Sequence, residues 1–427
     1  MKLQTAKGVR DLPPEEKIIK NQVVGIIRKT FEKYGFAPLE TPTIERFETL
    51  AAKFGAGTGS DVLKETFKLS DQGKRKLGLR FEMTTSLARY VAQNPTLKMP
   101  FKAYQIGSVF RDGPIKMGRE REFWQCDADT IGTTSMLAEA EQIAVLNDVF
   151  RELEFSFTIK INNRKVLNGI LNQAGIKKRK EALISIDKLD KIGKEGVYSE
   201  LKERGYNKKQ SDAVFNLLNK KFTLNELSKK ISDEEGKQGI LELKELFSYL
   251  KIMGIKDAVF DISLARGQAY YTGTVVEAYM KKNEVTSSIA GGGRYDKMIG
   301  GFTDSNREIP AVGVSFGITP VMEVMKIKKA KQDMQKKTPA KVYVIPINTV
   351  EQSLKIVQKL REEGVSADFS LGKKGVSKNL QYADSLGIPY AIIIGEKELK
   401  SKKVLLRDMD LGTEQMLSIE RVIKKLR

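Results

Sequence analysis

Residues 104–129, YQIGSVFRDGPIKMGREREFWQCDAD, alternate with a period of two on either side of a short polar loop, the pattern of two paired strands. Gln105, Gly107, Val109 and Arg111 fall on one face of the first strand. Arg119, Arg121, Phe123, Gln125, Asp127 and Asp129 share a face of the second, while Trp124, Cys126 and Ala128 point the other way and are expected to pack. One side of the hairpin is therefore core, and the other gathers guanidinium and carboxylate groups suited to a ligand carrying both signs of charge. A surface hairpin with solvated charges is the plain alternative. Against it, these charges are not spaced as neutralising cross-strand pairs.

Other periodicities place the hairpin in a larger body. After the turn at Pro13 and Pro14, Val23, Val24, Ile27, Thr30 and Phe31 recur near helical spacing until Gly35, and residues 36–40 read as a strand leading to Pro42. A turn at Asp71, Gln72 and Gly73 joins two strands, and alternation over residues 79–84 puts Arg80, Glu82 and Thr84 on one face. Thr85 or Ser86 is then expected to cap a short helix. A long helix follows from Thr134 through Phe150, and residues 163–252 read as a mainly helical insertion. Strand character returns in DAVFDISLARGQAYYTGTVVEAYM, TSSIAGGGRYD and AVGVSFG. After the Lys-rich segment 326–339, a plausible linker, the elements alternate β and α. The expected division is 1–162 and 253–325 as two parts of a catalytic domain, 163–252 as the insertion, 326–339 as a linker and 340–427 as a small α/β domain.

Composition narrows the chemistry. Lys and Arg number 74 against 54 Asp and Glu, a formal charge of +20, which favours a polyanionic partner such as nucleic acid or an anionic membrane surface. No apolar run reaches membrane-spanning length and the N-terminus lacks a signal-like segment, so a soluble, cytoplasmic protein is expected. The single Cys126 has no disulfide partner within the chain. The 427 residues include no histidine, which excludes His general bases, His metal ligands and Ser-His or Cys-His nucleophile pairs. Chemistry here has to rest on charge, positioning and other side chains.

Several segments in order carry a resemblance. KGVRDLPPEE and YGFAPLETPTIE, the hairpin described above, LARGQAYYTGTVVE with GGGRYD, and the C-terminal α/β segment together resemble the class II aminoacyl-tRNA synthetases and, within them, the histidyl-tRNA synthetase family. GGGRYD alone is weak; the ordered set is strong. The loop form GPIKMGRERE is similar to archaeal members. The resemblance implies an α+β catalytic domain on an antiparallel sheet, a helical insertion, an anticodon-binding-like C-terminal domain and a C2 homodimer. It also implies ATP as substrate with Mg2+ held chiefly by its phosphates, and tRNA as partner.

Residue by residue, the resemblance implies that Arg111 binds the α-phosphate and the substrate carboxylate, with Arg266 approaching the same phosphate from the other side. Glu82 and Thr84 match positions that hold the α-amino group, and Gln125 bridges the polar end of the amino acid. Asp129 and Tyr271 would hydrogen-bond the imidazole, with Tyr270 beside them. Arg119, and less firmly Arg121, would meet the ATP tail, and no protein metal site is implied. Lys373, Lys374 and Lys378 are candidates to face the anticodon arm, with solvated lysines as the alternative.

The chain departs from the family pattern at one point. The third motif of the class usually ends in an arginine for the ATP tail, whereas GVSFGITPVME has Pro320 there. Either Arg119, Arg307 or a lysine substitutes, or ATP affinity is reduced. A catalytically silent paralogue, acting as a regulatory subunit of histidine biosynthesis or as a tRNA sensor, is therefore the second reading.

Overall fold

The computed structural model describes residues 3–52, 61–115, 120–218, 220–266, 270–282, 285–303, 308–330, 336–372 and 374–427. Two compact units form, Met1–Arg10 with Val23–Val324 and Asp11–Gln22 with Met325–Arg427.

The first unit contains strands β1 (Ala37–Pro38), β2 (Ile44–Arg46), β3 (Lys68–Ser70), β4 (Lys76–Leu79), β5 (Phe101–Phe110), β6 (Glu122–Ile131), β7 (Phe157–Asn163), β8 (Ala258–Phe260), β9 (Thr274–Met280), β10 (Ala290–Arg294) and β11 (Ala311–Gly317). Among the described residues, eight of them form one sheet in the order β1-β5-β6-β11-β10-β9-β7-β8, and β2, β4 and β3 form a second. The large sheet is antiparallel through its centre, but β1 joins β5 and β8 joins β7 in parallel, so the expected antiparallel sheet is mixed at both edges. The hairpin read from alternation is the pair β5·β6, with Gly107 opposite Gln125, Gln105 opposite Asp127 and Ala103 opposite Asp129.

The part of helix Pro14–Lys33 from Val23 onward, and helix Met136–Glu152, close one face of the sheet through apolar stripes. Phe31, fully buried, packs its ring 5.5 Å from Tyr104 and 5.9 Å from Phe316, and Phe150 lies 5.5 Å from Phe316. Gly35, at φ +76, reverses the chain after the first helix, and the Phe36 N–H returns to the Phe31 carbonyl at 3.1 Å. The strand expected over 36–40 shortens to β1. Residues between β7 and β8 form helices from Arg164–Gln173 to Glu234–Ile252, in keeping with the helical reading of that segment.

Two local expectations change. Strand β4 ends at Leu79, and Arg80 folds back to donate from Nε to the Ser108 carbonyl at 2.8 Å and from Nη1 to the Thr41 carbonyl at 2.8 Å. Arg80 is thus buried behind the site, while Glu82 and Thr84 face it. The next helix, Thr84–Gln93, begins before the expected caps, and its N-cap Met83 makes no side-chain cap.

The second unit holds β12 (Val342–Pro346), β13 (Ala367–Phe369), β14 (Tyr390–Ile394), β15 (Val404–Asp408) and β16 (Glu414–Leu417), in the order β13-β12-β14-β15-β16. Its first three strands run parallel, as β-α alternation dictates, and the last two antiparallel. Val342, Val344, Ile392, Ile394 and Leu406 form its core with Val357, Leu360, Val422 and Leu426 from the helices.

Candidate active site

Sheet geometry builds the site. Strand period puts Gln125, Asp127 and Asp129 on the concave face of β6, where glycines of β10 and β11 leave room for long side chains. Their side chains join Glu82, Thr84, Arg111, Arg266, Tyr270, Tyr271, Tyr295 and Ser315 around one cavity. Eight residues predicted from far-apart segments, Glu82, Thr84, Arg111, Gln125, Asp129, Arg266, Tyr270 and Tyr271, therefore meet in one place.

The two arginines are held differently. Arg111 leaves the end of β5, donates from Nε to the Phe81 carbonyl at 3.2 Å and lies 5.0 Å from the Phe123 ring centroid. Arg266 sits in the left-handed region at φ +42, donates from Nη1 to the Val276 carbonyl at 3.1 Å and has Glu277 at 3.7 Å. Its guanidinium crosses Gly291 so closely that any Cβ there would collide with Nη1. Burial works against the charge of Arg266, but Tyr271 and Glu277 outweigh it and hold the group above the ordinary arginine range.

The acidic side is buried. Glu82 is 5% exposed and accepts from the Thr85 hydroxyl at 2.8 Å. Asp129 accepts from the Tyr295 hydroxyl at 2.6 Å. Burial pushes the Asp129 carboxyl up to about 7, against the pull of that hydrogen bond and with help from the Glu82 charge. Gly313 on β11 gives Asp129 its space, since a Cβ there would collide with Oδ1. Gln125 donates from Nε2 to Ser315 Oγ at 2.8 Å.

Not every candidate gathers here. Arg121 turns away from the cavity: Nη1 pairs with Asp112 Oδ1 at 2.9 Å and Nε donates to the Gly113 carbonyl at 3.3 Å. It precedes β6, so strand parity does not govern it. Arg119, Arg307 and Lys373 lie outside the described residues. Pro320 lies in the first turn of helix Ile318–Ala330, where its missing N–H costs no helical hydrogen bond. Sequence reasoning did not assign roles to Asp127, Tyr295 or Ser315, although strand period already aligned Asp127 with Gln125 and Asp129. Among the described residues no three Cys, Asp or Glu side chains converge to hold a metal ion.

Residues 8–321 match the family model described as histidyl-tRNA synthetase, and residues 341–427 match that of an anticodon binding domain. The chain belongs to the histidyl-tRNA synthetase family. Histidine–tRNA ligase 1 of Bacillus cereus is 40% identical over 432 residues, covering 100% of both chains. The histidine–tRNA ligase of Clostridium tetani is 39% identical, over 98% of this chain and 96% of its own. The crystal structure of histidyl-tRNA synthetase from Nostoc sp. PCC 7120 superposes with a TM-score of 0.87 at 31% identity, covering 100% of this chain and 99% of that one. These family relatives are bacterial, so the archaeal likeness expected from the GPIKMGRERE loop is not borne out. A short loop motif is outweighed by identity along the whole chain.

Proposed function

We infer that this protein ligates L-histidine to its tRNA at the expense of ATP, in two steps at one cavity. A carboxylate oxygen of histidine attacks the α-phosphorus of ATP, the bond to the β-phosphate breaks, and pyrophosphate leaves. The 3′ end of the tRNA then takes the histidyl group and AMP departs. The observation that carries the reading is the meeting of Arg111 and Arg266 with Glu82, Gln125, Asp129 and Tyr271 around one cavity.

The carboxylate nucleophile needs no general base, so a chain without histidine loses nothing in the first step. What the site supplies is alignment and relief of charge: Arg111 and Arg266 flank the α-phosphate and act as fixed cations there. Glu82, Thr84 and Gln125 receive the amino-acid end, and Asp129 and Tyr271 the imidazole, with Tyr270 beside them. A pocket that hydrogen-bonds ring nitrogens rejects apolar isosteres, because its own buried polar groups would be left unpaired. Mg2+ accompanies ATP as part of that substrate, coordinated through phosphates. Arg119 is assigned to the ATP tail. Arg121, which contacts Asp112 and Gly113, is assigned there with it.

The division into catalytic segments 1–162 and 253–325, insertion 163–252, linker 326–339 and anticodon-binding module 340–427 belongs to this reading; the family-model spans 8–321 and 341–427 support a separate C-terminal module, while helix Ile318–Ala330 runs into the first residues of the linker. A cytoplasmic homodimer is the corresponding assembly, and the exposed Ile44 in the segment that resembles the first motif suits a subunit contact. Histidine-dependent exchange of pyrophosphate into ATP, followed by charging of histidine tRNA, tests the whole reading. Pro320 keeps the silent-paralogue reading alive, and a folded protein that exchanges no pyrophosphate would favour it.

A further inference from the structure

Asp127 stands between the two β6 residues already assigned to substrate, opposite Gln105 on β5 and Ser315 on β11. Its side chain lines the cavity and the residue is 3% exposed. Ser315 hydrogen-bonds the carboxyl, yet Oδ1 has no hydrogen-bond partner. The neighbouring Gln125 is in the same condition: its Nε2 is committed to Ser315, and its Oε1 is buried without a donor. Arg80, whose charge acts on Asp127, directs Nε and Nη1 to the carbonyls of Ser108 and Thr41. A buried acceptor without a donor is costly, so two side by side at a cavity wall call for a ligand that brings donors.

We propose that Asp127 is a specificity-determining residue, which together with Glu82 and Gln125 Oε1 accepts the three N–H groups of the substrate α-ammonium. An ammonium offers three donors and no acceptor, and this wall offers two carboxyls and one amide oxygen. The inference rests on the histidine reading above and adds to it a residue with a separable task. It also gives a reason for the acidic excess on this wall, since the cation balances carboxyls that burial makes costly.

The protonation balance follows. Burial, and then the neighbouring Asp129, raise the Asp127 carboxyl well above the usual range; Glu82 adds to this, while Ser315 and Arg80 oppose it. Tyr295 is the remaining titratable group that senses Asp127. Arrival of a fixed positive charge favours the carboxylate and so opposes the upward push of burial.

The test compares L-histidine with 3-(imidazol-4-yl)propionate, which keeps the ring and carboxylate but lacks the amine. In Asp127→Asn the KM for histidine in pyrophosphate exchange should rise about tenfold or more. The KM for ATP and the inhibition constant of the deamino analogue should stay within about twofold of the parent. Equal weakening of both ligands would overturn the proposal, because a merely structural Asp127 affects them alike. A second measurement needs only the unmodified protein. Calorimetry at pH 7 should find histidine bound at least about tenfold more tightly than the analogue, and equal affinity would also overturn it. If the unmodified protein binds no histidine at all, the histidine reading itself has failed, and the two failures remain distinct.

Discussion

The Tyr295 hydroxyl donates to Asp129 Oδ1 at 2.6 Å, joining the GGGRYD segment to the strand that carries the proposed imidazole acceptor. The hydrogen bond favours the ionised carboxylate, whereas burial disfavours it. In Tyr295→Phe only burial and the Glu82 charge remain, so the Asp129 midpoint should move above about 7. If ionised Asp129 accepts an imidazole N–H, histidine affinity rises with pH through that midpoint, and the variant's profile should shift to higher pH. KM for histidine measured from pH 6 to 9 checks this. Coincident profiles would remove Asp129 from imidazole binding.

Asp129 also sets a stability slope. The unfolded carboxyl titrates near 3.8 and the folded one near 7, so between these values the folded chain holds a proton that the unfolded chain has lost. Stability contributed by this group therefore falls as pH rises through the window. Asp129→Asn removes the slope. The variant should gain stability relative to the parent from pH 4 to pH 7 and show a constant difference above that, in urea unfolding at stepped pH. No histidine side chain titrates in this chain to obscure the comparison.

Gly291 is placed where Arg266 needs it. A Cβ at that position collides with Arg266 Nη1 and meets the Val276 carbonyl at 3.0 Å, so Gly291→Ala should displace the guanidinium, with the Val276 carbonyl giving by a few tenths of an ångström. Misplacement of a charge-stabilising group by about 1 Å costs on the order of 100-fold. Pyrophosphate exchange should fall by that amount, with kcat more affected than the KM for histidine. Unchanged exchange would argue that Arg266 is not near the reacting phosphate.

Arg294 and Glu139 form a bidentate pair at 2.5 and 2.7 Å, with side chains 7% and 1% exposed. The pair links β10 to helix Met136–Glu152 beneath the site. Glu139→Ala strands a buried cation and should cost about 3–5 kcal/mol in urea unfolding. Replacing both partners with apolar residues, Glu139→Leu with Arg294→Met, should recover most of that loss. A double variant as unstable as the single one would show that the remaining Arg294 contacts, to the Thr133 carbonyl and Asp296, carry the stability.

Much of the cavity was legible because strand parity is a local rule. Gln125 and Asp129 fall on the site face once β6 is recognised, and register alone sets Asp127 between them. Glu82 and Thr84 reach the cavity for another reason: Arg80 ends the strand by bonding two distant carbonyls, a tertiary effect invisible in alternation. Parity does not extend to Arg121, which lies in the hairpin mouth outside β6 and pairs with Asp112. Tyr295 was hidden within a glycine motif whose function is to admit neighbouring side chains.

The second unit allows a test of tRNA binding apart from chemistry. Lys374 and Lys378 are exposed around the start of helix Val376–Ser385, and Lys374 Nζ lies 5.7 Å from the ring of the partly exposed Tyr382. Asn379 fixes the preceding loop by donating to the Lys374 carbonyl at 2.8 Å and accepting from the Ser370 hydroxyl at 2.8 Å. Two cations and an aromatic face on an anchored loop suit a polyanion with stacking bases. Substituting Lys373, Lys374 and Lys378 together by Glu should raise the KM for tRNA by about tenfold or more and leave histidine-dependent pyrophosphate exchange unchanged. The dependence of log affinity on log salt should become shallower by roughly 0.7–0.9 for each tRNA phosphate that these lysines neutralise. Equal damage to exchange and charging would mean that these lysines support the fold, while unchanged charging at every salt concentration would mean that they are simply solvated.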